Sequence, residues 1–223
     1  MTAITRQTSP RADGSPAAPA GRRARRKAET RRRLLEAARQ LFVERGYDAT
    51  RPQDIARLAD VAAGTFYLHF PDKPAAFLAF TEQAAEELME HIRSRLDEAA
   101  TFEKRFTGAL KAIIAYAQRN PGLLRAAFAD EAVVAAHPPS GASLRERLAS
   151  RLAEMLRRAI ERGEVRPDYD PEMIAWGIVG MVQQSCGRAW RPADRPRLLD
   201  NLTRFCARAL VPAPTEAREE ARR

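Results

Sequence analysis

The chain has 223 residues, 45% hydrophobic and 30% charged, enough apolar side chain for a buried core under a charged surface. No run of about eighteen apolar residues occurs and the charged, Pro/Ala-rich start has no signal-like apolar segment, so the expectation is a cytoplasmic protein with no membrane partner. The formal net charge is +9, and residues 1–70 hold 14 Lys+Arg against 7 Asp+Glu while residues 71–223 hold 24 against 22, so most of the positive excess lies where it can meet phosphate.

Residues 1–21 mix Pro, Gly, Ser, Thr and Ala without periodicity and read as disordered. The run Arg22-Arg23-Ala24-Arg25-Arg26-Lys27 follows, with Arg31 to Arg33 behind it. It is either a solvated charge run or a flexible basic arm tracking a DNA backbone or minor groove. From Thr30 onward Leu34, Leu35, Ala38, Leu41 and Phe42 form one apolar stripe, and Gly46 supplies a left-handed cap with Tyr47 as its hydrophobic lock. Thr50-Arg51-Pro52-Gln53 has the form of a capping box, opening a short helix that carries Ile55 and Ala56. A turn at Asp60-Val61 leads to a second short helix, Ala63 to about Phe70, ended by Pro71. Asp72 is placed to cap the next helix, whose stripe is Phe77, Phe80, Ala84, Leu88, Ile92 and Leu96.

Beyond it the pattern stays helical, with elements expected near 102–119, 121–136, 142–162, 171–189 and 194–210, then a polar tail. The fold class is all-α. Two short helices joined by a tight turn after a basic segment have the layout of a DNA-reading helix-turn-helix. The cysteines, Cys186 and Cys206, lack metal-ligand spacing; buried thiols or a redox pair remain open. His69, His91 and His137 are scattered. No nucleophile–base, metal or phosphate-loop constellation is present, so neither a metal, a cofactor nor catalysis is expected.

In Thr50-x-x-x-Asp54-Ile55-Ala56-x-x-Ala59-x-Val61-x-x-Gly64-Thr65-Phe66-Tyr67-x-His69-Phe70-x-x-Lys73 the sequence resembles the TetR family of bacterial transcription regulators. Ala37-Ala38-x-x-Leu41-Phe42-x-x-x-Gly46-Tyr47 resembles that family's first helix. The resemblance implies a basic arm at 1–27, a DNA-binding domain at 28–88 with its helix-turn-helix at 51–70, a ligand-binding and dimerisation domain at 89–211, and a tail at 212–223. It implies a repressor that binds a near-palindromic operator on double-stranded DNA as a homodimer and is released by a small molecule. The rival readings are a transcriptional activator of the same family, or a small-molecule binder whose DNA-binding domain has degenerated.

The DNA contacts expected are Thr50, Arg51, Gln53, Ala62, Ala63, Gly64, Thr65, Tyr67, His69 and Lys73. Gly64 lets backbone amides approach phosphate, Thr65 can meet phosphate or a thymine methyl, and Tyr67 and Lys73 can bind the backbone. Three positions depart from the family pattern. Asp60 stands where the turn usually has Gly, Ala62 replaces a Ser cap at a cost of about 1 kcal/mol, and Ala63 leaves a bare methyl. The resemblance also implies a pocket, for which Phe106, Tyr116, Phe128, Met155, Trp176 and Gln184 are candidates, with Gln183 beside them as a second amide in an apolar helix. The segment from Met173 to Val182 is apolar on every face and Leu198 to Leu210 is two-sided, so Met181, Val182, Leu198, Leu202, Phe205, Cys206 and Ala209 are the candidate dimer interface.

Overall fold

The computed structural model describes residues 19–97, 99–129, 143–187 and 192–212, with single positions at 133 and 136. Those residues form α1 (Pro19–Arg45), α2 (Pro52–Leu58), α3 (Ala63–Tyr67), α4 (Lys73–Arg93), α5 (Phe102–Arg119), α6 (Leu123–Ala129), α7 (Leu144–Glu161), α8 (Pro171–Gly187) and α9 (Arg195–Leu210). A 3-10 turn, Pro192–Asp194, leads into α9. No strand occurs among the described residues. The tail from 213, residues 1–18 and the end of the helix expected at 121–136 lie outside them.

The helix ends follow local chemistry. α1 stops where Gly46 takes φ +82° and its amide donates to the Phe42 carbonyl at 3.0 Å. Asp72 accepts from the Ala75 amide at 2.8 Å and opens α4. Ser143 and Glu146 form a reciprocal capping box at the start of α7. Asp170 accepts from the Met173 amide at 2.8 Å, ahead of Pro171 in α8.

One expectation is corrected here. The arm expected to be flexible through residue 27 is helical from Pro19, so Pro19 to Lys27 extend α1 by more than two turns. Arg, Ala, Lys and Glu are strong helix formers, and Glu29 pairs with Arg32 at 2.6 Å across one turn. No apolar stripe marks this stretch, and residues 21–29 are exposed among the described residues.

Two apolar cores result. The first joins Leu34, Phe42, Ile55, Phe66, Phe77 and Phe80 and continues through Leu88 and Ile92 to Tyr116 and Leu123. α4 therefore passes through the boundary expected at 88 and serves as a shared wall. The second core gathers Phe102, Phe106, Leu152, Leu156, Ile178 and Leu202 from the later helices. α7 and α8 pack along each other, and α9 packs against α5.

Candidate DNA interface and central cavity

α2 and α3 are too short to hold themselves together, and their orientation comes from α1 and α4. Phe66 and Ile55 are fully buried and Phe70 is 2% exposed, which pins both helices from beneath. At the turn Asp60 adopts φ +54°, a conformation Asp tolerates better than most residues. Arg33 reaches across from α1 and donates to the Ala59 and Asp60 carbonyls, so it caps the end of α2. Arg31 lies 4.9 Å from the centre of the Phe70 ring. Part of the basic run is thus structural, a role that sequence spacing did not reveal.

The expected contact residues divide into three groups. Arg51, Gln53, Ala62, Ala63, Gly64 and Tyr67 are exposed, and Thr65 and His69 are partly so. Of these, Gln53, Ala62 and Ala63 border one shallow depression together with Arg57, Asp60 and Val61. Nothing lies within 4 Å of where a Gly64 side chain would begin, so internal packing does not demand glycine there and the backbone is open from outside. Ala62 occupies the N-cap of α3 without a side-chain hydrogen bond, as its missing hydroxyl dictates.

Two residues behave differently from expectation. Thr50 is fully buried, and its hydroxyl donates to the Gly46 carbonyl at 2.7 Å. The cap position of α2 belongs to Arg51 and carries no side-chain bond. Thr50 therefore closes the α1–α2 loop and offers no hydroxyl to DNA, because its only hydrogen is committed inward. Lys73 donates to the Tyr47 carbonyl at 3.1 Å, with its ammonium 4.0 Å from the Tyr47 ring centre. A phosphate contact by Lys73 has to share or displace that bond. Sequence reasoning also missed Leu68, which is 74% exposed at the end of α3, and Arg57, which is exposed and paired with Asp54 at 2.7 Å.

His69 has a buried Nδ1 without a hydrogen-bond partner. Burial first, then the nearby Lys27 and Arg31 charges, push its pKa down.

The second feature is a cavity of about 750 Å³ among α4, α5, α6, α7, α8 and α9. Phe106, Phe128 and Met155 line it, as does Gln183. Three expected lining residues do not. Tyr116 is 5% exposed and donates to Glu87 at 2.8 Å. Trp176 is 46% exposed on the outer side of α8, and Gln184 also faces outward. On a helix that is apolar all round, sequence alone cannot say which face turns inward, and consecutive residues such as Gln183 and Gln184 lie about 100° apart.

The dimer candidates separate in the same way. Leu202 is 7% exposed and Cys206 2%, so both belong to the subunit's own core and are withdrawn from the interface. Val182 and Leu198 line the cavity. Met181 and Ala209 are half-buried beside the second core. Phe205 alone of the seven is strongly exposed, at 64%. Burial pushes the Cys206 thiol up to about 11; the Cys186 side chain lies outside the described residues.

A polar knot joins α1 to α4 and α5, two helices of the cavity wall. Arg39 of α1 donates to both Glu87 oxygens at 2.7 and 2.8 Å, and Gln83 and Tyr116 add bonds at 2.9 and 2.8 Å. Burial works against the Glu87 charge, but the bonds from Arg39 and Tyr116 outweigh it and hold the carboxyl below its ordinary value. Among the described residues no group of three or more His, Cys, Asp or Glu side chains is placed to hold a metal, and no helix is long and apolar enough to cross a membrane.

Comparison with known proteins assigns both halves. The family described as "Bacterial regulatory proteins, tetR family" matches residues 34–80, and "Tetracyclin repressor-like, C-terminal domain" matches 101–210. The chain is 27% identical to the transcriptional activator FasR of Mycolicibacterium smegmatis over 168 residues, covering 75% of each chain. It is 27% identical to the nucleoid occlusion factor SlmA of Vibrio atlanticus over 193 residues, covering 82% of this chain and 94% of that protein. The transcriptional repressor DhaR of a Mycobacterium species is 27% identical over 185 residues, 82% of this chain and 93% of that protein. The fold superposes on a gamma-butyrolactone receptor with TM-score 0.63 at 23% identity, covering 86% of this chain and 94% of that one. It matches a regulator from Shewanella with TM-score 0.65 at 23% identity, covering 82% and 99%. The chain belongs to the TetR family of bacterial transcriptional regulators.

Proposed function

We propose that the protein is a homodimeric repressor in the cytoplasm that binds a near-palindromic operator and is released by a small molecule held in the central cavity. The observation that carries the reading is the outer surface of the helix-turn-helix. Arg51, Gln53, Gly64 and Tyr67 are exposed there while Phe66 and Phe70 anchor the same helices from beneath. Tyr67 and the Gly64 backbone serve phosphate, and Arg51, Gln53 and Thr65 reach base edges. A single α3 of five residues makes few base contacts, so two copies on adjacent major grooves supply the selectivity.

The dimer face fits α8. Met173, Trp176, Gly177 and Gly180 fall at i, i+3, i+4 and i+7; the first three are exposed, and neither glycine has anything within 4 Å of its Cβ place. A second helix can come close over such a stripe, and Phe205 of α9 is a further exposed apolar side chain available to a partner. Repression follows from occupancy of the operator, and the cavity gives a ligand a means to favour subunits whose reading helices are misplaced.

The test is a gel shift with DNA from upstream of the protein's own gene. Site-preferring binding that weakens steeply with salt is expected. Tyr67→Ala should weaken it about tenfold or more with the helical content by circular dichroism unchanged. Binding that shows no preference among DNA sequences would sink the proposal.

A further inference from the structure

The cavity is apolar in its body and cationic at its rim. Phe106, Ile113, Phe128 and Met155 supply the body, and Arg105 adds a guanidinium that is only 4% exposed, 3.9 Å from Glu164. Arg93, Arg125, Arg151 and Arg158 line the cavity and are also exposed, which places them at its opening. Against these the described lining residues include one carboxylate, Glu154, already bonded to Arg157 and Arg158 at 2.9 and 2.8 Å. Arg93 is held by Glu90 at 2.8 Å. Arg125 and Arg151 have no ion pair among the described residues.

We propose that the occupant is an elongated apolar molecule with one anionic head, its tail among Phe106, Ile113, Phe128 and Met155 and its head against Arg125 and Arg151. This rests on the reading of the cavity as the effector site. A neutral tail gains nothing from the arginines, and a cationic head is repelled by them; an anion gains charge-assisted bonds at the rim while the tail leaves water. The position of Arg125 also says how binding is felt elsewhere. It lies on α6, which packs against α1, and the Cβ place of Gly122 is 3.1 Å from Val43 of α1. A head group pulling on Arg125 therefore acts on the helix that touches the DNA-reading domain.

The experiment titrates the full-length protein, by calorimetry, with decanoate, decanol and decyltrimethylammonium, each below its micelle-forming concentration. Decanoate should bind about tenfold tighter than decanol, and the cation weakest. The double variant Arg125→Gln/Arg151→Gln should lose about tenfold for decanoate and keep its decanol affinity. Equal binding of decanoate and decanol, no binding of decanoate, or an unchanged double variant overturns the proposal. A parallel gel shift separates it from the regulatory reading. Arginine-dependent decanoate binding that leaves DNA binding unaltered upholds the ligand class and overturns the effector role. DNA release by decanol as readily as by decanoate does the reverse.

Discussion

Asp60 takes the left-handed conformation at φ +54°, the one positive φ of a non-glycine among the described residues. That conformation costs a side-chain-bearing residue about 1–2 kcal/mol, less for Asp, and glycine costs about 0.5–1 kcal/mol in unfolded-chain entropy. The 3.5 Å pair with Arg33 returns little, since the Asp60 side chain is 98% exposed. Asp60→Gly is therefore expected to stabilise the protein by about 0.5 kcal/mol, read by thermal unfolding. It also removes a negative charge beside the reading surface, so DNA affinity at low salt should rise a few-fold. Cys206 gives a second outcome at this scale. A thiol 2% exposed and pushed up to about 11 presents almost no thiolate at pH 8. In a Cys186→Ser background, a thiol reagent should leave the native protein unlabelled for hours and label it fully in denaturant, which argues against a redox switch at this position.

At the scale of elements, sequence is informative wherever a helix has one wet face and a marked end. The stripe of α4, the stop of α1 at Gly46 and the start of α4 at Asp72 were legible because burial and capping both leave residue-type signatures. Three things were not. α1 reaches back to Pro19 on helix propensity alone, without an apolar face to announce it. Thr50 and Lys73 stand at motif positions, yet one is wholly buried and the other tied to the Tyr47 carbonyl, since a motif names a position and not the direction its side chain takes. In α8 and α9 apolar residues occur on more than one side, and only packing decides that Leu202 and Cys206 turn inward while Met173, Trp176 and Phe205 remain exposed. These last three give the prediction for this scale. Phe205→Glu and Trp176→Glu place a charge on the proposed dimer face without touching either core. Sedimentation should show each shifted toward monomer, and operator affinity should fall about a hundredfold or more because two half-sites no longer bind together. A buried control, Leu202→Ala, should instead lower stability by about 2–5 kcal/mol.

For the whole molecule, the decisive matter is how an event in the cavity reaches α3, some distance away across two packed units. The first core is continuous from Phe66 to Tyr116, so the halves cannot move as independent beads. Where they meet, Arg39, Glu87, Gln83 and Tyr116 tie α1, α4 and α5 into one knot. A knot of this kind disfavours intermediate arrangements, because a partly broken one leaves a half-buried charge without its partner. It thus favours discrete positions of α4 and α5 relative to α1, which is what a switch between DNA-competent and DNA-incompetent subunits requires. The coupling is measurable by a double-mutant cycle. Arg39→Met and Glu87→Leu should each destabilise by about 1–3 kcal/mol, and together by less than their sum, with an interaction energy of about 1–2 kcal/mol. The pH dependence has a definite sign. The folded Glu87 carboxyl lies below its ordinary value of 4.5, so its contribution is present above that value and is lost as acid carries the pH down through the folded pKa. Urea unfolding of the wild type and the three variants at pH 7 and pH 3.5 should show the interaction energy at the first and a smaller one at the second. Tyr116→Phe, which removes one bond and leaves the ion pair in place, should cost about 1 kcal/mol and preserve most of the Arg39–Glu87 coupling, identifying the charge pair as the joint and the tyrosine as its link to the cavity wall.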